Sequence, residues 1–208
     1  MKNDYHIGNV KISIPPTLLF STMGKIGDAR RAVTLDAKRP GDLVYILGET
    51  YHELGGSEWY AMHGFIGNQV PKVNAEKAKA LYDALSRAIR SGLVASCHDC
   101  SDGGAGVAIA ESAFAGGLGM LINLALFPTA GIDRNDTLLF SESQSRFVVT
   151  ISPAVKEPFE AIMKGTSMGQ VGIVLAEGLL KIDGLDGKRI IDEDINQLKA
   201  AWQRPLNF

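Results

Sequence analysis

With 208 residues, 46% of them apolar and 21% charged, the chain is long enough to bury a core and lacks the composition of a disordered segment. A formal net charge of −2, with no Lys/Arg block, excludes the electrostatic footprint of a nucleic-acid-binding face. No apolar run approaches the roughly 20 residues of a membrane span, and the start from Met1 to Tyr5 has no signal-peptide apolar region, so the expectation is a cytoplasmic protein with no membrane or nucleic-acid polymer as partner.

In chain order, residues 1–9 are polar and are expected to be loosely held. Residues 10–14 alternate as a half-buried strand would, up to Pro15-Pro16, and 18–26 form a second extended piece interrupted by Gly24 and Gly27. Residues 28–38, with Arg30, Arg31 and Lys38, read as a solvated connector. After the turn Pro40-Gly41-Asp42, the continuous apolar run Leu43–Leu47 reads as a buried strand. Gly55-Gly56-Ser57 before Glu58-Trp59-Tyr60 forms a turn with Ser57 as the cap of a short helix, and is either plain turn chemistry or an anion cradle. His52 and His63 read as surface or half-buried histidines. Asn74 caps an amphipathic helix over Ala75–Arg90, with Ala78, Leu81, Leu85 and Ile89 on one face and Gly92 as its stop.

Residues 93–97 form a short strand leading into C-H-D-C-S-D-G-G (97–104), followed by an Ala-rich helix over 105–115 capped by Ser101 or Asp102. An acidic, glycine-rich loop between a strand and a helix can offer N–H groups to an anion and carboxylates to a divalent cation. The two cysteines, Cys97 and Cys100, have no second ligand pair for zinc, and their C-x-x-C precedes more loop where a redox motif would open a helix. Cys97 reads as a buried small hydrophobe and Cys100 as a loop thiol. Further strands are expected over 120–126, over Phe147–Ile151, and as a pair at 169–176 and 179–182; a short turn or helix is expected from Asp136, and helices over 155–164 and over 194–202. The polar hexad S-E-S-Q-S-R (141–146), before the clearest strand, can contact a polar ligand or serve as a solvated turn. The sum is one α/β (α+β) domain, a mixed sheet covered by helices, with an N-terminal arm.

Three motifs, E-L-G-G-S-E-W-Y (53–60), H-D-C-S-D-G-G (98–104) running into A-E-S-A-F-A-G-G-L-G, and L-F-S-E-S-Q-S-R-F (139–147), resemble the last part of phosphoribosylformylglycinamidine synthase. The entry segment I-S-I-P-P-T-L-L-F-S-T-M-G-K-I-G-D (12–28) resembles the region that feeds it, and Ala105 stands where that family carries a bulky apolar residue. The resemblance implies the C-terminal domain of the second synthetase half, in the aminoimidazole-ribonucleotide-synthetase-like superfamily, with 1–39 an arm from a missing preceding domain and 40–208 the domain itself. It implies an ATP-dependent ligation in purine biosynthesis that converts formylglycinamide ribonucleotide to the amidine, using ammonia from a glutaminase part or subunit. No catalytic residue is expected in this chain, which alone should be inactive. The implied cofactors are Mg²⁺ and ATP or ADP, the nucleotide in an auxiliary role. The implied magnesium ligand is Asp99, with Asp102 a second ligand or, preferably, the helix cap. The implied nucleotide contacts are Ser101, Asp102, Gly103 and Gly104, then Gly55, Gly56 and Ser57, and then Ser141, Glu142, Ser143 and Arg146. The rival readings are another enzyme of the superfamily, of selenophosphate synthetase or thiamine-phosphate kinase type, and a non-catalytic docking module.

Overall fold

The computed structural model describes residues 4–13, 19–129 and 131–206. They fall into two compact units, 1–32 and 33–208, each described by itself.

In the first unit, β1 (Asp4–Ile7) and β2 (Val10–Ser13) form an antiparallel hairpin with Ile7 opposite Val10. Gly8, at φ +55, supplies the left-handed backbone of the two-residue Gly8-Asn9 turn. The expectation that the first nine residues are loose therefore fails for residues 4–9, where ladder hydrogen bonds and a turn dipeptide outweigh polarity. Ile14 and Leu18 lie outside the described residues, and 19–26 form no strand. A 3-10 turn at Ala29–Arg31 follows, capped by the Asp28 side chain.

The second unit is built on seven strands: β3 (Leu43–Leu47), β4 (Ser96–Asp99), β5 (Gly119–Asn123), β6 (Phe147–Ile151), β7 (Met168–Leu175), β8 (Leu179–Asp183) and β9 (Arg189–Asp194). Their order is β4-β6-β3-β7-β5-β8-β9, antiparallel except for β5 with β8. The helices are α1 (Glu58–Met62), α2 (Ala75–Arg90), α3 (Gly104–Gly116), α4 (Asn135–Phe140), α5 (Lys156–Met163) and α6 (Ile195–Gln203). Side chains alternate across the central strands. Val44, Ile46 and Val148 join the core that includes Ile109 of α3 and Leu138 of α4, whereas Tyr45, Leu47, Val149 and Ile151 join Leu81 and Leu85 of α2 and Phe159 of α5. Helices on both faces are why β3 reads as an unbroken apolar run. The α/β mixed-sheet expectation is met. Among the described residues no helix is long and apolar enough to cross a membrane.

Several local expectations are corrected. Residues 33–38 are not a solvated connector: Ala37 is buried, its N–H donates to the Ser112 carbonyl, and the Thr34 carbonyl accepts from Cys97 N–H. β4 begins at Ser96, not 93, and runs on to Asp99, because its register pairs Ser96 with Thr150 and Asp99 with Phe147. β5 stops at Asn123, whose side chain accepts from Ala125 N–H and turns the chain into a 3-10 segment. β7 and β8 do not pair with one another, since β5 lies between them, and the mostly exposed edge strand β9 was not foreseen. Neither Ser101 nor Asp102 caps α3; its N-cap position is Gly103, at φ +77.

Candidate functional site

The three motifs converge for one topological reason. β6 lies between β3 and β4 and is antiparallel to both, so Phe147 at its start faces Leu47 at the end of β3 and Asp99 at the end of β4. The segment after β3, the acidic loop after β4 and the hexad before β6 therefore meet at one edge of the sheet.

The hexad is bonded inward. Arg146 is only 1% exposed; its Nε donates to the Ser143 carbonyl (3.0 Å), Nη1 to Thr50 Oγ1 (2.9 Å) and Nη2 to the Ser141 carbonyl. Burial lowers the proton affinity of its guanidinium, against the field of Cys100, Glu53 and Glu142. Ser143 Oγ accepts from Tyr51 N–H (3.0 Å), and Ser141 Oγ from Glu53 N–H (3.3 Å). Three of these contacts, to Thr50, Tyr51 and Glu53, clasp the hexad to the chain leaving β3.

Glu142 has a different role. Its Oε1 accepts from Gly103 N–H (2.9 Å) and from Glu58 N–H (3.0 Å), so one carboxylate sits at the N-termini of both α3 and α1. That is where a helix start favours an anion, and the anion here is the chain's own. The Gly104 amide donates to the Ser101 carbonyl. In the other cradle, Gly55 N–H donates to Gln69 O (2.8 Å), Gly56 N–H to Ile66 O (2.6 Å) and Ser57 N–H to Leu54 O (3.2 Å). Ser57 also caps α1 as expected, accepting from Tyr60 N–H. The amides of both glycine turns are thus engaged within the chain. Replacing Glu142 by alanine orphans two helix-terminal amides and is expected to cost about 1–3 kcal/mol, whereas Glu142→Gln keeps an acceptor and should cost less. Urea midpoints of the two variants check this order.

Asp99 behaves otherwise. It ends β4 with its side chain 66% exposed, and its Oδ2 accepts from Ser101 Oγ (2.6 Å). That hydrogen bond holds its carboxyl below the usual carboxylate range, so it is ionised at neutral pH. Asp99, Ser101, Asp102, Glu142, Gln144 and Arg146 contribute to the wall of a cavity of about 380 Å³. A second cavity of about 660 Å³ adjoins it across Gln144 and Ser145 and includes Glu49, Tyr51, Asn74 and Lys77. Tyr51 donates its hydroxyl proton to Glu49 Oε2 (2.7 Å), and Lys77 Nζ pairs with the same oxygen (3.0 Å). Sequence reasoning missed this group, since Lys77 lies on the solvent face of α2 and Glu49 and Tyr51 sit in an unremarkable loop. Ser145, the only non-glycine at positive φ among the described residues (φ +61), shares a hydrogen bond with Tyr82 OH at 2.7 Å.

Cys97 packs half-buried against the core, and Cys100 lies in the loop as expected but is buried. Burial pushes the Cys97 thiol up to about 12 and the Cys100 thiol up to about 11, leaving both protonated at neutral pH.

The fold is a mixed sheet with an ionised aspartate at a strand end, beside a glycine-rich helix start. Residues 39–184 match the family described as AIR synthase related protein, C-terminal domain, and the chain belongs to that family. It is 36% identical over 201 residues to the phosphoribosylformylglycinamidine synthase subunit PurL of Alkaliphilus metalliredigens, a match over 94% of this chain and 26% of the relative. Against the same subunit of Moorella thermoacetica it is 32% identical over 195 residues, 93% of this chain and 26% of the relative. The chain spans about a quarter of the length of these curated relatives. Thermotoga maritima PurL complexed with FGAR shares the fold with a TM-score of 0.73 at 22% identity, over 82% of this chain and 30% of that one. Escherichia coli HypE, a hydrogenase maturation protein, shares it with a TM-score of 0.56 at 18% identity, over 76% of this chain and 51% of that one. The resemblance carried by the three motifs is borne out.

Proposed function

We propose that this domain forms one wall of a magnesium-nucleotide cleft in an ATP-dependent ligase, phosphoribosylformylglycinamidine synthase, which makes formylglycinamidine ribonucleotide from formylglycinamide ribonucleotide and glutamine-derived ammonia in purine biosynthesis. The observation that carries the reading is Asp99, an ionised and exposed carboxylate in a cavity shared with Ser101 and Asp102. Its support comes from relatives named as this synthase and from Thermotoga maritima PurL, which has been seen complexed with ATP and with ADP.

A carboxylate and a phosphate repel unless a cation lies between them, and magnesium binds through one or two carboxylates, waters and phosphate oxygens. Asp99 fits that role, and the bound ion would neutralise phosphate charge against the wall. Ser101 and Asp102 would contact its waters or the phosphates. Gly103 and Gly104 would give the loop its close backbone approach. Gly55, Gly56, Ser57, Ser141, Glu142, Ser143 and Arg146 would act on the nucleotide by framing the wall, since their polar groups bond within the chain. The nucleotide held here would be auxiliary, with turnover in a related cleft. Residues 1–39 would join 40–208 to preceding synthetase domains, ammonia would come from a glutaminase part or subunit, and the compartment would be the cytoplasm.

Asp99→Asn in the longer synthase carrying this domain is expected to lower nucleotide retained through purification about tenfold or more. Nucleotide content equal to wild type in the folded variant would overturn the assignment.

A further inference from the structure

Behind Asp99 runs a chain of side chains from three elements that the nucleotide reading leaves unused. His98 of β4 points its Nε2 at Glu111 Oε2 of α3 at 2.6 Å, and the other oxygen of Glu111 accepts from Trp202 Nε1–H of α6 at 2.8 Å. The Trp202 ring lies against Phe114, with centroids 5.8 Å apart, so Glu111 is held from both sides. The second imidazole nitrogen, His98 Nδ1, lies 3.5 Å from Asp99 Oδ1.

A carboxylate oxygen accepts and a neutral imidazole carries one N–H. In the neutral ring the short contact to Glu111 therefore selects the Nε2–H form, leaving a lone pair on Nδ1. Two lone-pair-bearing atoms 3.5 Å apart do not hydrogen-bond to each other. They do match an arrangement in which Asp99 binds a hydrated divalent cation and Nδ1 accepts from one of its waters. A carboxylate that orients a histidine beside a metal is a recurrent arrangement around metal sites. No group of three His, Cys, Asp or Glu side chains converges among the described residues, so the rest of the coordination sphere falls to water and phosphate, as magnesium prefers.

We propose that Glu111 is a positioning residue: it locks His98 as the Nε2–H tautomer, so that Nδ1 serves as a water acceptor beside Asp99 and does not cover that carboxylate with an N–H. The proposal rests on the reading of Asp99 as a cation ligand, but its test reads the imidazole itself.

The measurement is ¹⁵N imidazole NMR on the 208-residue chain at pH 8.5, with Mn²⁺ as the probe. Wild type should show His98 protonated at Nε2 and bare at Nδ1, with Mn²⁺ broadening its ring signals first among the histidines. In Glu111→Gln, whose amide can donate to Nε2, the proton should shift toward Nδ1, and the Mn²⁺ concentration for equal broadening should rise about tenfold or more. Trp202→Phe keeps an aromatic ring and removes only the outer anchor, so it should move both readouts the same way by less. His98 protonated at Nδ1 or at both nitrogens in wild type, or Glu111→Gln leaving tautomer and Mn²⁺ response unchanged, would overturn the proposal. If Asp99→Asn spares nucleotide retention while the tautomer is as stated, the nucleotide reading fails and the Glu111–His98 lock stands.

Discussion

Truncating Arg146 to alanine is expected to destabilise the domain by about 3–5 kcal/mol, which is a large share of a typical domain's stability. The guanidinium is 1% exposed and donates to two carbonyls and a hydroxyl, from Ser141, Ser143 and Thr50. Its removal leaves those acceptors in a water-poor space, each worth roughly 1–3 kcal/mol when orphaned, and leaves the negative field of Glu53 and Glu142, which favours the guanidinium charge, without its nearby cation. Lysine restores the charge but not the planar fork, so Arg146→Lys should recover only part of the loss. Urea unfolding monitored by circular dichroism reads both variants. A loss below 1 kcal/mol for the alanine variant would mean that the hexad is no clasp and that Arg146 is available to a ligand.

Gly104→Ala should be comparably damaging, for steric reasons. The residue sits at φ +66, and a Cβ there would lie 2.4 Å from the Ser141 carbonyl oxygen and 2.7 Å from that of Leu139. Both neighbours are backbone, so they cannot rotate away. Left-handed strain of about 1–2 kcal/mol adds to overpacking of about 1–3 kcal/mol, for a total of about 3 kcal/mol or more. Gly117 supplies the control, since it has nearly the same φ, +65, but no heavy atom within 4 Å of its notional Cβ. Gly117→Ala should therefore show the strain alone. Equal losses at the two glycines, measured by thermal or urea unfolding, would show that the contact between the acidic loop and the hexad is not close-packed in solution.

Both variants act where the acidic loop meets the hexad, so a loss of stability there would also disturb the proposed ligand site. Arg146→Ala or Gly104→Ala would disturb the Asp99 cavity indirectly, whereas Asp99→Asn touches an exposed side chain whose hydrogen bond to Ser101 is local. A lost nucleotide can be assigned to a residue only when the variant unfolds like wild type.

Much of the local structure was legible from the chain. The apolar run of β3, the 3.6-residue spacing of α2 with its Asn74 cap, and the β-branched run of β6 each carry their own signal, because propensity, capping and burial pattern act over neighbouring residues. The three motifs likewise gave the family without any contact being known. The order of strands was not legible. β8 pairs with β5 across more than fifty residues of chain, and the charged edge strand β9 buries too little for its periodicity to show. The roles of the glycine turns were also hidden. Gly-Gly-Ser and Asp-Gly-Gly read as anion cradles, and whether their amides face a ligand depends on which distant groups reach them first; Gln69, Ile66 and Glu142 do.

The sequence by itself determined the helices, the central strands and the family, since these follow from residue spacing and from motifs within short stretches. Only the tertiary structure decided what the acidic residues do. Glu142 and Asp99 look alike as carboxylates in polar loops, but the antiparallel placement of β6 between β3 and β4 turns one inward to cap two helices and leaves the other exposed and ionised at the cavity. The physical reason is that a carboxylate's role is set by the donors within about 3 Å of it: those of Glu142 come from Glu58 and Gly103, far away along the chain, whereas Asp99 takes its hydrogen bond from nearby Ser101.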